Sequence, residues 1–223
     1  MIEANEIFSD SDKRIALWCN DVQDTNDLAI MCENIMESGV NLISVPDNIV
    51  ENVWVYLEKS PVKILTRYNF ISNRKNIDND IANLAKNVIN VCKHGADGVQ
   101  IFVKMSGFED FCEKISLIRD DLFFCKDLCI VMDIEDVDIN NWSGIFEKLR
   151  AIGTNVLAFT LKEDMGGRSD FVGRIYGMLK NWEFDGELHF ILDNNFDRID
   201  QVINLIESEK PELNNRVRFF LNY

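Results

Sequence analysis

The sequence has few of the residues that build metal centres and disulfide frameworks. It contains only two histidines, His94 and His189, so a zinc site built on imidazole ligands is not expected. None of its six cysteines forms a CxxC pair, and most lie in apolar segments, where free cysteine packs as a small hydrophobic residue. We therefore expect reduced thiols, a cytoplasmic location, and neither a metal nor another cofactor.

Other absences limit the classes of partner. No apolar run approaches the roughly 18 residues of a membrane span, and the first stretch, "MIEANEIFSDSDKR", lacks the apolar core of a signal peptide. Lysine and arginine number 23 against 38 aspartates and glutamates, a net charge of −15. Such a chain, without a basic patch, would repel nucleic acid and anionic lipid. We expect a small-molecule ligand, with no nucleic-acid and no membrane partner.

What the chain does contain is a regular alternation of short apolar runs and amphipathic runs. Between the apolar runs, apolar residues recur at helical spacing, and several of these helical patterns end at a glycine. Most of the apolar runs are apolar on both faces, as parallel strands covered by helices must be. The predicted strands are 14–19, 41–45, 62–66, 98–103, 128–132, 155–160, 187–192 and 216–221.

Eight strands with seven helices between them predict an α/β fold, a (β/α)8 TIM barrel that spans 1–223 as one domain. A doubly wound sheet is the alternative, but its Gly-rich first turn is absent from "CNDVQDT" (19–25). The last strand ends the sequence, so the eighth outer helix is missing. The apolar flank of the first and last strands must be covered by the N-terminal segment or by another subunit, or stay exposed. We predict a homo-oligomer, a dimer or larger, that covers it.

Barrel sites lie at the carboxyl ends of the strands, so polar residues there are the candidates. Because side chains alternate along a strand, Lys104 shares a face with Gln100, and Lys162 shares a face with Thr160. Two lysines would then converge on Asp133, and a second cation lowers the pKa of an amine, as Schiff-base chemistry requires. The candidates at or after strand ends are Asn20, Arg67, Lys104, Asp133, Thr160, Lys162 and Asp193, with Gln100 inside the fourth strand.

Each candidate also has a structural interpretation. Lys162, in "LKEDMGG", can be an ion-paired side chain or the first solvated residue of a loop, and Asp193 can cap a turn or helix. Arg67 suits an anionic substrate group, because a guanidinium binds carboxylate or phosphate in a fork. His189 is interpreted as a core or rim histidine, and the four tryptophans as core packing. The acidic residues Asp21, Asp47, Asp133, Glu135 and Asp193 could together hold magnesium.

Three segments carry a resemblance to a known family. They are the stretch 24–64, "CKHGADGVQIFVK" (92–104) and "IGTNVLAFTLKEDMGG" (152–167). They resemble the first helix to third strand, the fourth strand and the sixth strand of the deoxyribose-phosphate aldolase family and its class I aldolase-type relatives. The resemblance implies a TIM barrel and a lyase that forms a lysine Schiff base with a small, anionic, sugar-derived carbonyl substrate.

The family's functional positions do not carry over directly. An ungapped match places the family's strand-four aspartate on Gln100 and its Schiff-base lysine on Ala158. The family's strand-seven lysine falls near His189 or Phe190, and its Gly-rich phosphate loops are absent.

The aldolase-like hypothesis therefore assigns the reaction to residues at the carboxyl ends of the strands. Lys162 would form the imine, Lys104 would lower its pKa or move a proton, Asp133 would act as acid or base, and Arg67 would hold the anion. Contacts to substrate would come from Gln100, Asn20, Thr160 and Asp193. The alternatives are a non-catalytic or degenerate barrel that binds or assembles, and a metal-assisted lyase or hydrolase using the acidic residues.

Overall fold

Eight parallel strands close into a barrel in the order β1 to β8, in a computed structural model that describes residues 13–20, 22, 24–70, 76–122, 125–161, 168–192 and 196–223. The predicted TIM barrel is confirmed, and the doubly wound sheet is excluded because β1 pairs with β8. The strands are β1 (Ile15–Trp18), β2 (Leu42–Val45), β3 (Lys63–Phe70), β4 (Gly98–Val103), β5 (Asp127–Asp133), β6 (Val156–Leu161), β7 (Glu187–Leu192) and β8 (Val217–Asn222).

Helices lie between the strands and pack on the outside of the barrel. The outward faces of the strands and the inner faces of the helices form one large apolar cluster, as a barrel with an outer helical ring requires. No α-helix follows β8 among the described residues, as predicted. The helices are α1 (Thr25–Ser38), α2 (Val50–Leu57), α3 (Ile77–Lys93), α4 (Phe108–Leu117), α5 (Trp142–Ala151), α6 (Arg168–Lys180) and α7 (Phe196–Glu209).

Local signals account for the ends of several helices. Asp24 caps α1 by accepting hydrogen bonds from the backbone of Asn26 and Asp27. Glycines at 39, 95 and 153 adopt positive φ where helices turn into strands, as the glycine-terminated patterns predict. The prediction for β3 was too short: the strand continues through Phe70, so Arg67 lies inside a strand and not after it.

The strand register stacks the inward-facing side chains in layers of four, each contributed by alternate strands. Below the lowest complete layer lie the charged Lys63, Asp127 and Glu187. Two of these layers define the site: the Gln100 layer and, above it, the Trp18 layer. From the amino ends of the strands upward, the layers are Leu42, Gly98, Val156 and Arg218; Ala16, Leu65, Cys129 and His189; Ser44, Gln100, Ala158 and Phe220 (the Gln100 layer); and Trp18, Arg67, Val131 and Ile191 (the Trp18 layer).

The flank predicted to be open is covered within one chain. The outward residues of β8, which are Val217, Phe219 and Leu221, are at most 3% exposed. They belong to the same apolar cluster as Met31 of α1 and Val202 of α7. The reason given for a homo-oligomer, an exposed flank, is therefore wrong, although the homo-oligomer itself stays a prediction. Light scattering at micromolar concentration tests it, and a clean monomer would contradict it.

Gly98 is where the barrel wall leaves no room for a side chain, and this gives a stability prediction. A Cβ at this position would lie 2.4 Å from the carbonyl oxygen of Asp127, a backbone atom held by the β4–β5 ladder. We expect Gly98→Ala to lower the free energy of unfolding by about 1–3 kcal/mol, measured by chemical denaturation. Gly173, inside α6 with nothing within 4 Å, is the matched control. Gly173→Ala should stabilise the fold by about 0.5–1 kcal/mol, and equal effects at the two sites would contradict the steric account.

Along the described part of the chain, we find no helix with both the length and the apolar character needed to cross a membrane.

Candidate functional site

The carboxyl-terminal mouth of the barrel has a floor that is largely apolar. Trp18 contacts Phe102, one step above the Trp18 layer, with ring centroids 5.9 Å apart and the rings nearly perpendicular. It also contacts Phe220 below, at 6.2 Å and again edge to face. Trp18, Phe102 and Ile191 are half-buried. Their upper sides are exposed to solvent at the mouth, and their lower sides pack on the barrel interior. These side chains close the interior from above.

Arg67 brings a fixed positive charge to this floor. Its guanidinium lies 4.1 Å from the ring centroid of Trp18, a cation–π contact. Nη2 donates a hydrogen bond to the backbone carbonyl of Cys19 at 2.6 Å. Arg67 faces inward, as the candidate site required, because it shares the β3 face of Leu65. Stacking and hydrogen bonding together hold the guanidinium at the mouth, where an anionic group could approach.

Beneath the floor, the Gln100 layer is sealed from solvent. Ser44, Gln100 and Ala158 have no exposed surface. Ser44 Oγ donates to Gln100 Oε1 at 2.6 Å, while Gln100 Nε2 has no hydrogen-bond partner in the described part of the structure. Gln100 thus faces inward, as its strand pattern predicted, but it lies below the Trp18 layer. A ligand resting on the floor does not contact it.

His189 lies one layer deeper and serves the core. It is 1% exposed and packs against the ring of Phe220, with centroids 5.4 Å apart. Burial lowers the pKa of His189 more than the nearby Glu187 carboxylate raises it, so the imidazole is neutral at pH 7. Its Nε2 donates to Glu187 Oε2 at 3.0 Å. That hydrogen bond lowers the pKa of Glu187. The interpretation of His189 as a core histidine agrees with this placement.

The buried imidazole makes stability depend on pH. The folded state holds His189 neutral, whereas an unfolded chain protonates histidine near pH 6.5. Acid therefore favours the unfolded state, and stability present above pH 6.5 is lost as the pH falls below it. Between pH 6.5 and 5.5 we expect a loss of up to about 1 kcal/mol from this group, because the unfolded imidazole goes from half to nearly full protonation over that interval. Denaturant titrations at both pH values measure the loss. It should shrink in His189→Gln and persist in His94→Gln, the control at the other, exposed histidine; a loss unchanged in His189→Gln would contradict this assignment.

The remaining described candidates lie at or above the floor. Thr160 ends the inward face of β6 and is half-buried, and Lys104 follows β4 with high exposure. Asp133 ends β5 and also accepts a hydrogen bond from the Glu135 backbone at 3.2 Å, which caps a short 3-10 turn. Asn20 follows β1 and is exposed. By strand alternation Lys104, Asp133 and Thr160 continue the inward faces of three adjacent strands.

Two predicted site residues, Lys162 and Asp193, lie outside the described residues, as does Asp21. Lys162 follows β6 directly in the sequence, two residues beyond Thr160. Among the described residues, no three or more histidine, cysteine, aspartate or glutamate side chains gather as metal ligands. The metal-assisted alternative, whose acidic residues include Asp21 and Asp193, thus has no cluster in the described part of the mouth.

A nucleophilic cysteine at the mouth is not supported. Cys19 follows β1, but it has no exposed surface, and burial raises its pKa to about 12. The thiol is therefore un-ionised at neutral pH and closed to a ligand.

Trp18 and Phe102 are the site residues that sequence reasoning missed. Trp18 was interpreted as core packing with the other tryptophans, and Phe102, although it shares the strand face of Gln100 and Lys104, was not counted among the candidates. The available signal was their position: each lies at the carboxyl end of a strand, on the face that carries Ala16 or Gln100 inward. Trp54 was also assigned to the core, but it is 41% exposed on α2.

No family model matches the sequence, and no curated protein matches it significantly. Solved structures do match. The aldolase QR15 superposes with a TM-score of 0.69 at 12% identity, covering 95% of this chain and 91% of its own. A tetrameric deoxyribose phosphate aldolase from Aeropyrum pernix gives 0.66 at 10% identity, covering 94% and 85%. A proposed copper homeostasis protein, CutC from Streptococcus agalactiae, gives 0.65 at 10% identity, covering 93% and 97%. The chain has the TIM-barrel fold that these aldolases share.

Proposed function

We propose that this barrel is an aldolase-like lyase that binds a small anionic carbonyl compound at its mouth and forms a Schiff base with it through Lys162. The observation that carries the proposal is the Arg67 guanidinium, held over Trp18 at 4.1 Å on the inward face of β3. A fixed cation above an apolar floor is suited to hold the anionic end of a substrate while its carbonyl faces the opposite rim.

Because the floor is closed, the proposed reaction takes place above the Trp18 layer. Ala158, on the position of the family's lysine, is buried beneath the Trp18 layer and carries no amine. A carbonyl above the floor is separated from Ala158 by the Trp18 layer. Lys104 and Lys162 are the amines that the sequence offers on the inward faces of β4 and β6, and β5 with Asp133 lies between these strands.

The proposed steps follow from these positions. The neutral amine of Lys162 attacks the carbonyl carbon, and loss of water gives the imine, which is the electron sink for cleavage of the neighbouring carbon–carbon bond. Lys104, as a second cation, favours the neutral form of Lys162. Asp133 moves the proton to and from the departing oxygen. Asn20, Thr160 and Asp193 contribute hydrogen bonds to the substrate.

Borohydride trapping tests this function. The protein is incubated with a panel of small aldehydes, ketones and keto acids, reduced, and read by intact mass and peptide mapping. The proposal requires a stoichiometric adduct on Lys162. Adducts spread at background level over surface lysines would overturn the imine mechanism.

A non-catalytic barrel is the second candidate, and a specific observation favours it. The family's aspartate and its two lysines correspond to Gln100, Ala158 and the vicinity of His189, and all three residues are buried without an amine. The fold is also shared with CutC, which is described as a proposed copper homeostasis protein. Ligand binding at Arg67 without any reduced adduct would support this candidate.

A further inference from the structure

The floor of the mouth joins a fixed cation to an apolar surface. Trp18 links the two: the guanidinium of Arg67 lies 4.1 Å from its ring centroid, and the ring of Phe102 lies 5.9 Å away and nearly perpendicular to it. The half-buried Ile191 of β7 belongs to the same floor. A molecule whose anionic end contacts Arg67 therefore places its body on aromatic and aliphatic side chains.

The floor has few hydrogen-bond partners for a hydroxylated body. Among the four inward side chains of the Trp18 layer, all of which the structure describes, only Arg67 is polar. Ser44 and Gln100 are polar too, but they lie beneath this layer with no exposed surface. A sugar hydroxyl that leaves water needs such a partner, whereas an aromatic or aliphatic body gains free energy by contact with this floor.

The place where TIM barrels often hold phosphate is acidic in this chain. In such barrels the phosphate binds at the loops after the seventh and eighth strands, beside a helix N-terminus. Here the sequence between β7 and the first turn of α7 reads "DNNFD" (193–197), without a glycine, and Asp197 lies in that first turn. A carboxylate there, in a chain of net charge −15, repels a second anion. A singly charged carboxylate at Arg67 is the better match.

The strand order fixes how far apart the two ends of the ligand must be. Arg67 is on β3, and Lys162 directly follows β6 in the sequence. In the closed barrel, β3 and β6 stand on nearly opposite sides, with β4 and β5 between them on the shorter way round. A ligand with its anion at β3 and its carbonyl at the carboxyl end of β6 therefore needs a body that crosses the floor.

We propose that the mouth takes oxo acids in which an aromatic or other apolar body separates a carboxylate from an aldehyde or ketone, and that it rejects sugar phosphates. The carbonyl end of this inference rests on the proposed function, whereas the carboxylate and the body rest on Arg67, Trp18 and Phe102. At the carbonyl, the Lys162 nitrogen bonds to carbon and the oxygen leaves as water. Borohydride then gives a hydride to the imine carbon, water gives a proton to the nitrogen, and a secondary amine results.

Binding is measured first, with ligands that cannot form an imine. Calorimetric titration of the wild-type protein compares 4-methylbenzoate, which has a carboxylate and an aromatic body, with acetate, which has the carboxylate without the body. The third ligand is glycerol 3-phosphate, which has a hydroxylated body and a phosphate. We expect 4-methylbenzoate to bind about tenfold more tightly than acetate, because its ring buries apolar surface on the floor, and also more tightly than glycerol 3-phosphate.

Variants assign this preference to particular residues. Phe102→Ala should weaken 4-methylbenzoate binding by about fivefold and leave acetate binding unchanged, since acetate has no ring to place on the floor. Arg67→Met keeps a long side chain beside Trp18 but removes the charge, so both carboxylates should lose measurable binding. Leu117→Ala and Arg150→Met are the matched controls and should bind as wild type. Both residues are exposed, near the carboxyl ends of α4 and α5, which lead into the amino ends of the next strands.

A reactive ligand distinguishes this inference from the proposed lyase. After borohydride reduction, 4-formylbenzoate should give an adduct on Lys162, and glyceraldehyde 3-phosphate should give much less. Binding of 4-methylbenzoate without an adduct from 4-formylbenzoate would contradict the imine function and support the ligand class. A preferred adduct with glyceraldehyde 3-phosphate would do the reverse. Wild-type protein that binds acetate or glycerol 3-phosphate as tightly as 4-methylbenzoate, or that binds none of the three, would overturn the proposal, even if a variant failed to fold.

Discussion

Replacing Lys162 with alanine is expected to abolish the reduced adduct and to lower lyase activity by on the order of 10³-fold or more, because no other group supplies the imine nitrogen. Lys162→Arg is the matched variant: it keeps the positive charge but cannot form an imine under these conditions, so it should be equally inactive. Lys104→Ala should retain the adduct but form it about tenfold more slowly, since the second cation that favours the neutral amine is lost. Adduct yield after borohydride reduction and initial rates measure these effects.

The outcomes separate the amines from one another. An adduct that survives in Lys162→Ala and maps to Lys104 would reverse the roles of the two lysines. Unchanged activity in Lys162→Ala would rule out the imine role of this residue. An Arg67→Lys variant that loses binding while an adduct still forms at high substrate concentration would confirm Arg67 as the anchor for the anion and leave the imine chemistry intact. Such a split between KM and kcat would not arise from a defect in folding.

The fold was predictable from the sequence because its signal repeats. Each strand is a short apolar run, each helix has an apolar stripe, and glycines such as Gly39 and Gly153 adopt the left-handed conformation where a helix ends. The predicted end of β3 was wrong because the apolar run stops before the strand does. In β3 the run "TRYNF" mixes polar and aromatic residues, so the strand appears to end at Thr66, although pairing with β4 extends it to Phe70.

Part of the site was predictable for the same reason. Side chains alternate along a strand, so the inward direction of Gln100 fixes that of Phe102, and the inward direction of Ala158 fixes that of Thr160. The layer in which an inward side chain lies was not predictable in this way. It depends on the stagger between strands, which no single strand encodes, and this is why Gln100 was placed among the ligand contacts although it lies beneath the Trp18 layer.

Contacts between distant segments were not predictable at all. The Trp18–Arg67 contact joins β1 to β3, and the Ser44–Gln100 hydrogen bond joins β2 to β4. Neither pair has a spacing or motif that marks it. The prediction of an open flank at β8 failed for a related reason, because counting helices does not show whether the outward side chains of a strand are buried.

The closed floor leads to the second large effect, which is expected from Ala158→Lys. This substitution places an amine on the family's lysine position, but here the position has no exposed surface and lies beneath the Trp18 layer. A buried amine loses about 3–5 pKa units, so the folded state would hold it nearly neutral at pH 7. The unfolded chain protonates lysine below about pH 10.4. Loss of the charge should therefore destabilise the folded state by about 4 kcal/mol at pH 7, in addition to any overpacking, and by much less near pH 10, where the unfolded amine also loses its proton.

Ala158→Met separates charge from volume, because methionine has a comparable length and no titratable group. We expect it to cost about 1–3 kcal/mol from overpacking at any pH between 7 and 10. Denaturant titrations of both variants at the two pH values give the comparison. A lysine that costs no more than methionine at pH 7 would show that the amine reaches solvent, and the floor would then be open. The family's lysine position would again be accessible to a ligand, and the argument for moving the imine to Lys162 would lose its basis.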